Sequence, residues 1–414
     1  MRLLYTCLLY LLTPLVLLRL LWKSLELPGY RQRIAERFGL VPRANGGIEV
    51  WVHAVSVGES VAALPLIKTL IERHGEGKVW MTTTTPTGSA RVVAALGQSV
   101  RHSYAPYDLP GAVARFIERT RPRQVVVMET ELWPNLFHAL GARGIPLTVA
   151  NARLSPRSFA GYSRVRDFAA QTLAHCRAIA AQSEADAQRF LDLGAHNVCV
   201  MGNIKFDLAV PTDQVEDGRA LRREWVGNRP VWIAASTHEG EEEQVLTAHR
   251  AVLEKFPDAG LILVPRHPQR FDAVAKLIEK SGFDFLRRTA APPPFSSAPA
   301  VLLGDSMGEM FLYFGAADVA YVGGSLVAVG GHNVLEPAAV ALPVLFGPHM
   351  FNFVAARELL LNVQAAQEVA GAAALGAAVG ELFRVPERGA QMGAAGQAAV
   401  AANRGALGRL LQLL

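Results

Sequence analysis

The sequence has 414 residues, more than a single hydrophobic core usually accommodates, so two domains are expected. Apolar residues make up 51% and charged residues 19%, which excludes an intrinsically disordered chain, and the net charge of +5 is modest. The three cysteines are far apart, so they indicate neither a disulfide framework nor a thiolate metal site and are compatible with a reducing compartment.

Residues 3–22 form an almost purely apolar stretch. Twenty helical residues span about 30 Å, roughly the hydrocarbon core of a bilayer. No small-residue cleavage site precedes Lys23, which argues against a cleaved signal peptide. Pro14 and Arg19 leave a tilted or interfacial helix as an alternative to a simple spanning one. We therefore predict a membrane anchor over residues 1–23.

The basic residues after this stretch predict on which side of the membrane the chain lies. They are Lys23, Arg31, Arg33, Arg37 and Arg43. Such a cluster suits an anionic membrane surface or nucleic acid, and the apolar stretch before it favours the membrane. By the positive-inside rule the rest of the chain is expected in the cytoplasm.

From residue 48 onward, short apolar strands alternate with helix-like segments, which predicts parallel sheets covered by crossover helices. This alternation of strands and helices stops in the polar residues 207–228 and begins again at "RPVWIAAS". We expect one Rossmann-like domain over 24–206, a linker over 207–228 and a second such domain over 229–414. The segment "RRTAAPPPFSSAPA" predicts an exposed loop, and the alanine-rich tail after about residue 365 predicts helices.

Ligands of doubly wound sheets bind beyond the carboxyl ends of the strands, so the polar residues there are candidates for a site in a cleft between the two domains. Glu59 follows the first strand. It suits either a helix start, with Ser60 as the N-cap, or a general base, and its position alone does not decide between them. The other cleft candidates in the first half are Ser56, Gly58, Thr85, Gly88, Glu129, Asn151, Arg153 and Lys205.

The second half has the features of a phosphate site. Arg266 follows a strand, and its planar guanidinium matches phosphate oxygens. The segment "YVGGSLVAVGGHNVLEP" combines four glycines with a helix start near Asn333, and Glu336 suits ribose hydroxyls. This coincidence favours nucleotide binding over purely structural glycines. No Walker-type motif is present, which argues against a P-loop ATPase. His53, His238, His267 and His332 do not have a metal-ligand spacing, so no bound metal is expected.

Several motifs in a fixed order are similar to those of a known family. They are "HAVSVGE", "TTTTPTG", "ETELWPN", "NARLS", "GNIKFD", "STHEGEE", "PRHPQR", "GDSMGEM", "GGSLVAVGGHNVLEP" and "GPHMFNF". Together they resemble the 3-deoxy-D-manno-octulosonic acid (Kdo) transferases of lipopolysaccharide assembly, from the N-terminal stretch to about residue 360. The resemblance implies an α/β GT-B fold, with two doubly wound Rossmann-like domains after an N-terminal anchor helix.

The resemblance also implies roles for individual residues. Glu59 matches the general base, and Lys205 is a further candidate to stabilise the leaving phosphate. The expected donor-binding residues are Arg266, Ser306, Gly308, Glu309, Ser325, Gly331, His332, Asn333 and Glu336.

The implied reaction is inverting transfer of Kdo from CMP-Kdo to the tetra-acylated lipid A precursor at the cytoplasmic side of the inner membrane, without a cofactor and without nucleic acid. Two alternatives remain open from the residues. One is another nucleotide-sugar transferase or epimerase on the same fold, and the other is a non-catalytic nucleotide-binding scaffold at the membrane.

Overall fold

The computed structural model describes residues 1–290 and 300–414, and most of the predicted loop over 287–300 lies outside these ranges. Two compact units make up the chain. Unit 1 comprises residues 1–207 and 404–414, and unit 2 comprises residues 208–403. Each contains a seven-stranded sheet in which the described strands pair in parallel.

The sheet of unit 1 has the strand order β3-β2-β1-β4-β5-β6-β7. Its strands are β1 (Ile48–His53), β2 (Val79–Thr83), β3 (Arg101–Tyr104), β4 (Pro122–Met128), β5 (Leu147–Ala152), β6 (Ala178–Ala181) and β7 (Val198–Val200). The central strands are apolar on both faces because helices cover both sides of the sheet. The strand order reverses between β1 and β4, which is where a doubly wound sheet opens a ligand crevice.

The helices of unit 1 form crossovers between these strands, apart from the first and the last. They are α1 (Arg2–Glu26), α2 (Val57–His74), α3 (Pro86–Leu96), α4 (Pro110–Thr120), α5 (Pro134–Gly141), α6 (Pro156–Ser163), α7 (Arg166–Leu173), α8 (Glu184–Asp192) and α17 (Ala406–Leu413). Short 3₁₀ turns occur at Pro28–Arg31, Ile34–Phe38 and Ile204–Phe206. The Ser183 hydroxyl caps α8, accepting a hydrogen bond from the Asp186 N–H.

The sheet of unit 2 has the order β10-β11-β9-β8-β12-β13-β14, with its reversal between β8 and β12. Its strands are β8 (Val231–Thr237), β9 (Gly260–Pro265), β10 (Phe285–Arg287), β11 (Val301–Leu303), β12 (Val319–Val322), β13 (Val344–Phe346) and β14 (Ala366–Glu368). Its helices are α9 (Thr212–Trp225), α10 (Glu242–Leu253), α11 (Phe271–Lys280), α12 (Met310–Gly315), α13 (Leu335–Ala339), α14 (Val354–Asn362), α15 (Ala372–Arg384) and α16 (Pro386–Ala402), with a 3₁₀ turn at Pro268–Arg270.

The division of the chain differs from the predicted domains at two places. The residues predicted as a linker contain α9, whose Trp225 is only 2% exposed in the core of unit 2. Gly218 of the same helix lets the chain approach the Leu312 carbonyl, which a Cβ would meet at 2.0 Å. At the other end, α17 belongs to unit 1, because the Asp207 carboxylate accepts hydrogen bonds from the Gly405 and Leu407 N–H groups.

The N-terminal helix α1 is, among the described residues, the one helix long and apolar enough to cross a membrane. It runs through Pro14 without a break. Most of its large apolar side chains are exposed. The basic residues that follow α1 were expected to face an anionic membrane surface. The structure corrects this expectation, because one of them is buried. Arg37 is 3% exposed, because its guanidinium stacks on the Tyr104 ring at 4.2 Å and donates to the Thr84 carbonyl.

Candidate active site

Glu59 lies in the first turn of α2, directly beyond the carboxyl end of β1. Its Oε2 accepts a hydrogen bond from the Val55 N–H at 2.8 Å, and its Oε1 accepts one from the Ser56 N–H at 3.2 Å. Ser56 is the N-cap, and its hydroxyl accepts from the Glu59 N–H, so the two residues form a capping box. The interpretation of Ser60 as the N-cap was therefore wrong. These bonds fix the carboxylate in one orientation and leave each oxygen a further lone pair.

Two more carboxylates follow β4, the strand next to β1 at the reversal of strand order. Glu129 has φ +57°, a left-handed conformation that is uncommon for this residue type and is often found at functional sites. Burial raises the pKa of both Glu129 and Glu131, and the negative charge of Glu59 adds to the rise in each case. The three carboxylates are thus close enough to interact electrostatically.

Basic and amide side chains complete this edge of unit 1. Lys205 Nζ lies 3.9 Å from Glu129 Oε1, and the positive charge of Arg153 also acts on Glu129. Asn151, at the end of β5, has φ +54° and is fully buried. Its Oδ1 accepts from the Ile204 N–H at 3.1 Å, so this side chain holds the backbone that carries Lys205.

The remaining candidates of unit 1 have a structural explanation. Thr85 is the N-cap of α3, and its hydroxyl accepts from the Gly88 N–H at 3.1 Å. A Cβ at Gly88 would lie 3.0 Å from that hydroxyl oxygen. Gly58 lies exposed in the first turn of α2. These residues shape the ends of β1 and β2 and do not themselves present a charged group.

In unit 2 the first glycine pair binds a side chain of the protein itself. The fully buried carboxylate of Glu241 accepts hydrogen bonds from the N–H groups of Gly324, Ser325 and Leu326 at 2.6, 3.0 and 2.9 Å. The His238 N–H and the Tyr321 hydroxyl donate to the same carboxylate. This loop is an anion-binding nest, as its glycines suggested, but its anion is Glu241.

A cluster of imidazoles is formed by His238 and His267, which follow β8 and β9, and by His332 of the loop after β12. The Nε2 atoms of His238 and His332 are 2.7 Å apart and their rings stack at 9°, while His267 packs edge-on against His238. Burial lowers the pKa of His332 to about 3, with the charge of Arg266 as a further cause. Both bonded imidazoles are therefore neutral near pH 7, one as donor and the other as acceptor. The positive charge of Arg266 and the ring N–H groups of the imidazoles make this cluster a candidate anion site of unit 2.

The segment that follows His332 is held by short-range hydrogen bonds. Asn333 Oδ1 accepts from the Leu335 N–H, and its Nδ2 donates to Glu336 Oε1, both at 3.1 Å. Burial raises the pKa of Glu336, and Arg266 opposes that rise through its charge. Asn333, Glu336, His332 and Arg266 thus lie close enough together to interact.

The residues of "GDSMGE" form a small network of their own. The Ser306 hydroxyl donates to Glu309 Oε2 at 2.5 Å, and Arg288 lies 3.1 Å from Glu309 Oε1. Gly308 has φ +83° and its carbonyl accepts from the Gln214 side chain. These partners hold the start of α12 in place, and Ser306 and Glu309 keep lone pairs for a ligand.

Two predicted donor residues are buried inside unit 2. The Ser325 side chain is fully buried and bonds to the Val322 carbonyl and the Gly347 N–H. The Gly331 N–H donates to the Gly324 carbonyl at 2.7 Å, and a Cβ there would meet Met350 Sδ at 2.2 Å. Their geometry assigns them to building the loop rather than touching a ligand. Among the residues that the structure describes, no group of three histidine, cysteine or acidic side chains could hold a metal ion.

Comparison with known proteins identifies the chain. A family model for 3-deoxy-D-manno-octulosonic-acid transferase (kdotransferase) matches residues 32–208. The 3-deoxy-D-manno-octulosonic acid transferase of Haemophilus influenzae is 45% identical over the whole of this chain and 98% of its own length. That of Bordetella pertussis is 40% identical over 88% of this chain and 86% of its own. The chain belongs to the Kdo transferase family. It is a glycosyltransferase, and the resemblance in the motifs is confirmed.

The fold of this Kdo transferase family member agrees with solved structures at much lower identity. A glycosyltransferase from Rickettsia africae is similar over 89% of this chain and 98% of its own, with a TM-score of 0.53 and 13% identity. The predicted GT-B fold, with a parallel sheet in each of two units, is therefore confirmed. Glu241 is the main residue of the transferase's candidate site that the sequence left unnoticed, because the three loop N–H groups that donate to it lie more than 80 positions away.

Proposed function

We propose that the protein transfers Kdo from CMP-Kdo to a hydroxyl of the tetra-acylated lipid A precursor, with inversion at the anomeric carbon. Family membership supports the sugar and the reaction type. The location of Glu59 at the reversal of strand order in unit 1, with its carboxylate fixed by two backbone N–H groups, supports the catalytic part. Unit 1 would bind the acceptor, and unit 2 would bind the donor.

In this reaction Glu59 accepts the proton of the acceptor hydroxyl while that oxygen attacks the anomeric carbon of Kdo. A carbon–oxygen bond to the acceptor forms, and the bond between the anomeric carbon and the phosphate oxygen breaks. CMP leaves with the bonding electron pair. The anchored carboxylate needs no rearrangement to take the proton, because its backbone partners already hold it.

Arg266 and the imidazoles beside it would bind the phosphate of CMP. The departing phosphate gains negative charge as its bond to the sugar breaks, and a guanidinium stabilises that charge with a forked pair of hydrogen bonds. Neutral His238 and His332 can each donate from one ring nitrogen once a phosphate oxygen replaces their mutual hydrogen bond. Glu336 remains the candidate for the ribose hydroxyls.

The membrane part of the proposal rests on α1. Its exposed apolar side chains, together with the exposed Arg31 and Arg43 that follow, suit the cytoplasmic side of the inner membrane, where an anionic lipid acceptor would be encountered.

Product analysis tests the proposal. The full chain in detergent is incubated with CMP-Kdo and the tetra-acylated acceptor, and the lipid is examined by mass spectrometry. We expect an acceptor carrying Kdo, with release of CMP. Absence of a Kdo-bearing lipid, together with activity on a UDP-sugar, would contradict the proposal and favour the alternative nucleotide-sugar enzyme.

A further inference from the structure

A cavity of about 320 Å³ lies in unit 1 between α1 and the body of that unit. Its apolar lining consists of Leu9, Leu12, Val16, Leu109, Leu132 and Trp133. The hydroxyl of Tyr5 donates to Asp108 Oδ2 at 2.9 Å and the Thr6 hydroxyl donates to Asn135 Oδ1 at 3.0 Å, so α1 is tied to the body at one end of the cavity. We refer to this cavity as the α1 groove.

The lining residues of α1 belong to one face of the helix. Tyr5, Leu9, Leu12 and Val16 follow a spacing of four, three and four residues, which places them in one row along the groove. The row spans about 16 Å at 1.5 Å per residue, a length that suits a fatty acyl chain.

A second face of α1 is just as apolar but does not line the groove. Its residues Leu8, Leu11, Leu15 and Leu18 are 50%, 74%, 60% and 61% exposed. A helix that is apolar all round is built for apolar surroundings on every side. The outward face suits a bilayer, and the inward face forms one wall of the groove, so lipid could pass directly from the bilayer into the groove.

The groove reaches the candidate acceptor site at Glu131 and Trp133. Trp133 Nε1 donates to Glu131 Oε2 at 3.0 Å, and Glu131 interacts electrostatically with Glu59. Tyr107 also lines the groove, and the Arg37 guanidinium lies 5.9 Å from the centre of its ring.

We propose that the α1 groove binds one acyl chain of the lipid acceptor and thereby holds the acceptor's sugar hydroxyl beside Glu59. This inference rests on the proposed function, because it takes the acceptor to be acylated. The acyl chain would remove the apolar lining of the groove from water. The N-terminal helix is then part of the substrate site as well as an anchor.

Filling the groove tests the proposal in the full-length protein. Leu12→Trp places a large ring in the groove, and Leu11→Trp places the same ring on the outward face as the matched control. We expect Leu12→Trp to raise the KM for the tetra-acylated acceptor at least tenfold, with the KM for CMP-Kdo unchanged. An analogue that keeps the phosphorylated sugars but lacks the acyl chains should react equally with both variants and the wild type. Leu11→Trp should match the wild type with every substrate.

Photocrosslinking identifies the occupant directly. An acceptor with a photoreactive group at the end of one acyl chain should label residues of the α1 groove, and Leu12→Trp should reduce that labelling. An unchanged KM in Leu12→Trp, or equal labelling by a photoreactive bilayer phospholipid, would overturn the proposal. If the wild type forms no Kdo-bearing product, the proposed function fails, and labelling of the groove by the acceptor still decides whether it binds the chain.

Discussion

The carboxylate of Glu241 and the backbone N–H of Gly324, 83 positions apart, are joined by a hydrogen bond of 2.6 Å. Removing the carboxylate would leave a group of buried donors without an acceptor, and each such donor costs about 1–3 kcal/mol. We expect Glu241→Ala to lower the free energy of unfolding by about 3 kcal/mol or more, and to weaken CMP binding because the loop carrying His332 loses its support. Thermal unfolding and calorimetric titration with CMP measure the two effects.

Glu243→Ala is the matched control for Glu241, because Glu243 is exposed and belongs to the neighbouring turn. It should change the free energy of unfolding by no more than about 0.5 kcal/mol. A Glu241→Ala protein with the wild-type melting temperature would show that the nest does not depend on this carboxylate.

The nest also shows which features of the site could be predicted from the sequence. Its glycines were expected to bring backbone N–H groups to a nucleotide, and the N–H groups of Gly324, Ser325 and Leu326 bind the Glu241 carboxylate instead. The identity of the anion could not be predicted, because Glu239, Glu241, Glu242 and Glu243 lie in one short acidic run. Glu241 meets the loop because β8 pairs with β12. This pairing joins distant parts of the chain, so the residues around Glu241 in the sequence do not predict it.

The fold could be predicted from the sequence more completely than the site, because buried parallel strands have a strong apolar pattern. The strands that the sequence missed are β3, β10 and β14, which lie at the edges of the two sheets. Edge strands are covered on fewer sides, so "RHSY" and "AQE" can be polar and still pair. The assignment of α17 to unit 1 was also missed, because the Asp207 bonds that hold it join residues about 200 positions apart.

Exchanging the proposed base is the most direct test of catalysis. Glu59→Gln keeps the shape of the side chain and one oxygen for the backbone N–H groups, but cannot take a proton. We expect turnover to fall about 100- to 10,000-fold, with CMP affinity unchanged. Loss of the capping role alone would cost only about 1 kcal/mol of stability. Steady-state kinetics and calorimetry on the purified variant separate the two roles.

Ser183→Ala provides the control for that capping loss. Ser183 caps α8 in the same unit, and its hydroxyl accepts a hydrogen bond from the Asp186 N–H. We expect about 1 kcal/mol of destabilisation and unchanged turnover. If Glu59→Gln retained turnover close to the wild type, Glu59 would be a structural cap and the base would have to be sought at Glu129 or Glu131.

Arg266 is expected to contribute mainly to donor binding. Arg266→Ala should weaken CMP binding about 10- to 100-fold, because a charge-assisted pair with phosphate is lost. Arg266→Lys keeps the charge but not the planar fork, so it should recover only part of the affinity. Titration calorimetry with CMP measures both variants. Arg223→Ala, at an exposed arginine of unit 2, should bind CMP like the wild type, and an equal loss there would indicate a non-specific effect of charge.

The buried imidazole of His53 predicts a pH dependence of stability. Burial lowers its pKa from 6.5 to about 4 in the folded protein. Between these values the unfolded chain binds more protons, so the contribution to stability is lost as the pH falls below 6.5. At pH 5 the loss from this group alone is about 2 kcal/mol. Denaturant unfolding at pH 7.5 and 5.0 measures it.

His53→Gln should remove this component, so the stability of the variant should fall less than that of the wild type between the two pH values. His196→Gln, at an exposed histidine of unit 1, should keep the wild-type dependence. Parallel curves for all three proteins would contradict the assignment of the acid sensitivity to the buried ring.

Gly218 tests whether residues 212–225 are part of the core of unit 2 rather than a linker. A Cβ at this position would meet the Leu312 carbonyl oxygen at 2.0 Å and its carbon at 2.9 Å, and both are backbone atoms that cannot turn away. Gly218→Ala should therefore force α9 and α12 apart and destabilise unit 2 by about 1–3 kcal/mol, although alanine favours a helix intrinsically. Asp217→Ala, one position earlier and exposed, should leave the free energy of unfolding nearly unchanged. Denaturant unfolding of both variants distinguishes a packed helix from a linker. A flexible linker would tolerate both substitutions, whereas a packed helix tolerates Asp217→Ala but not Gly218→Ala.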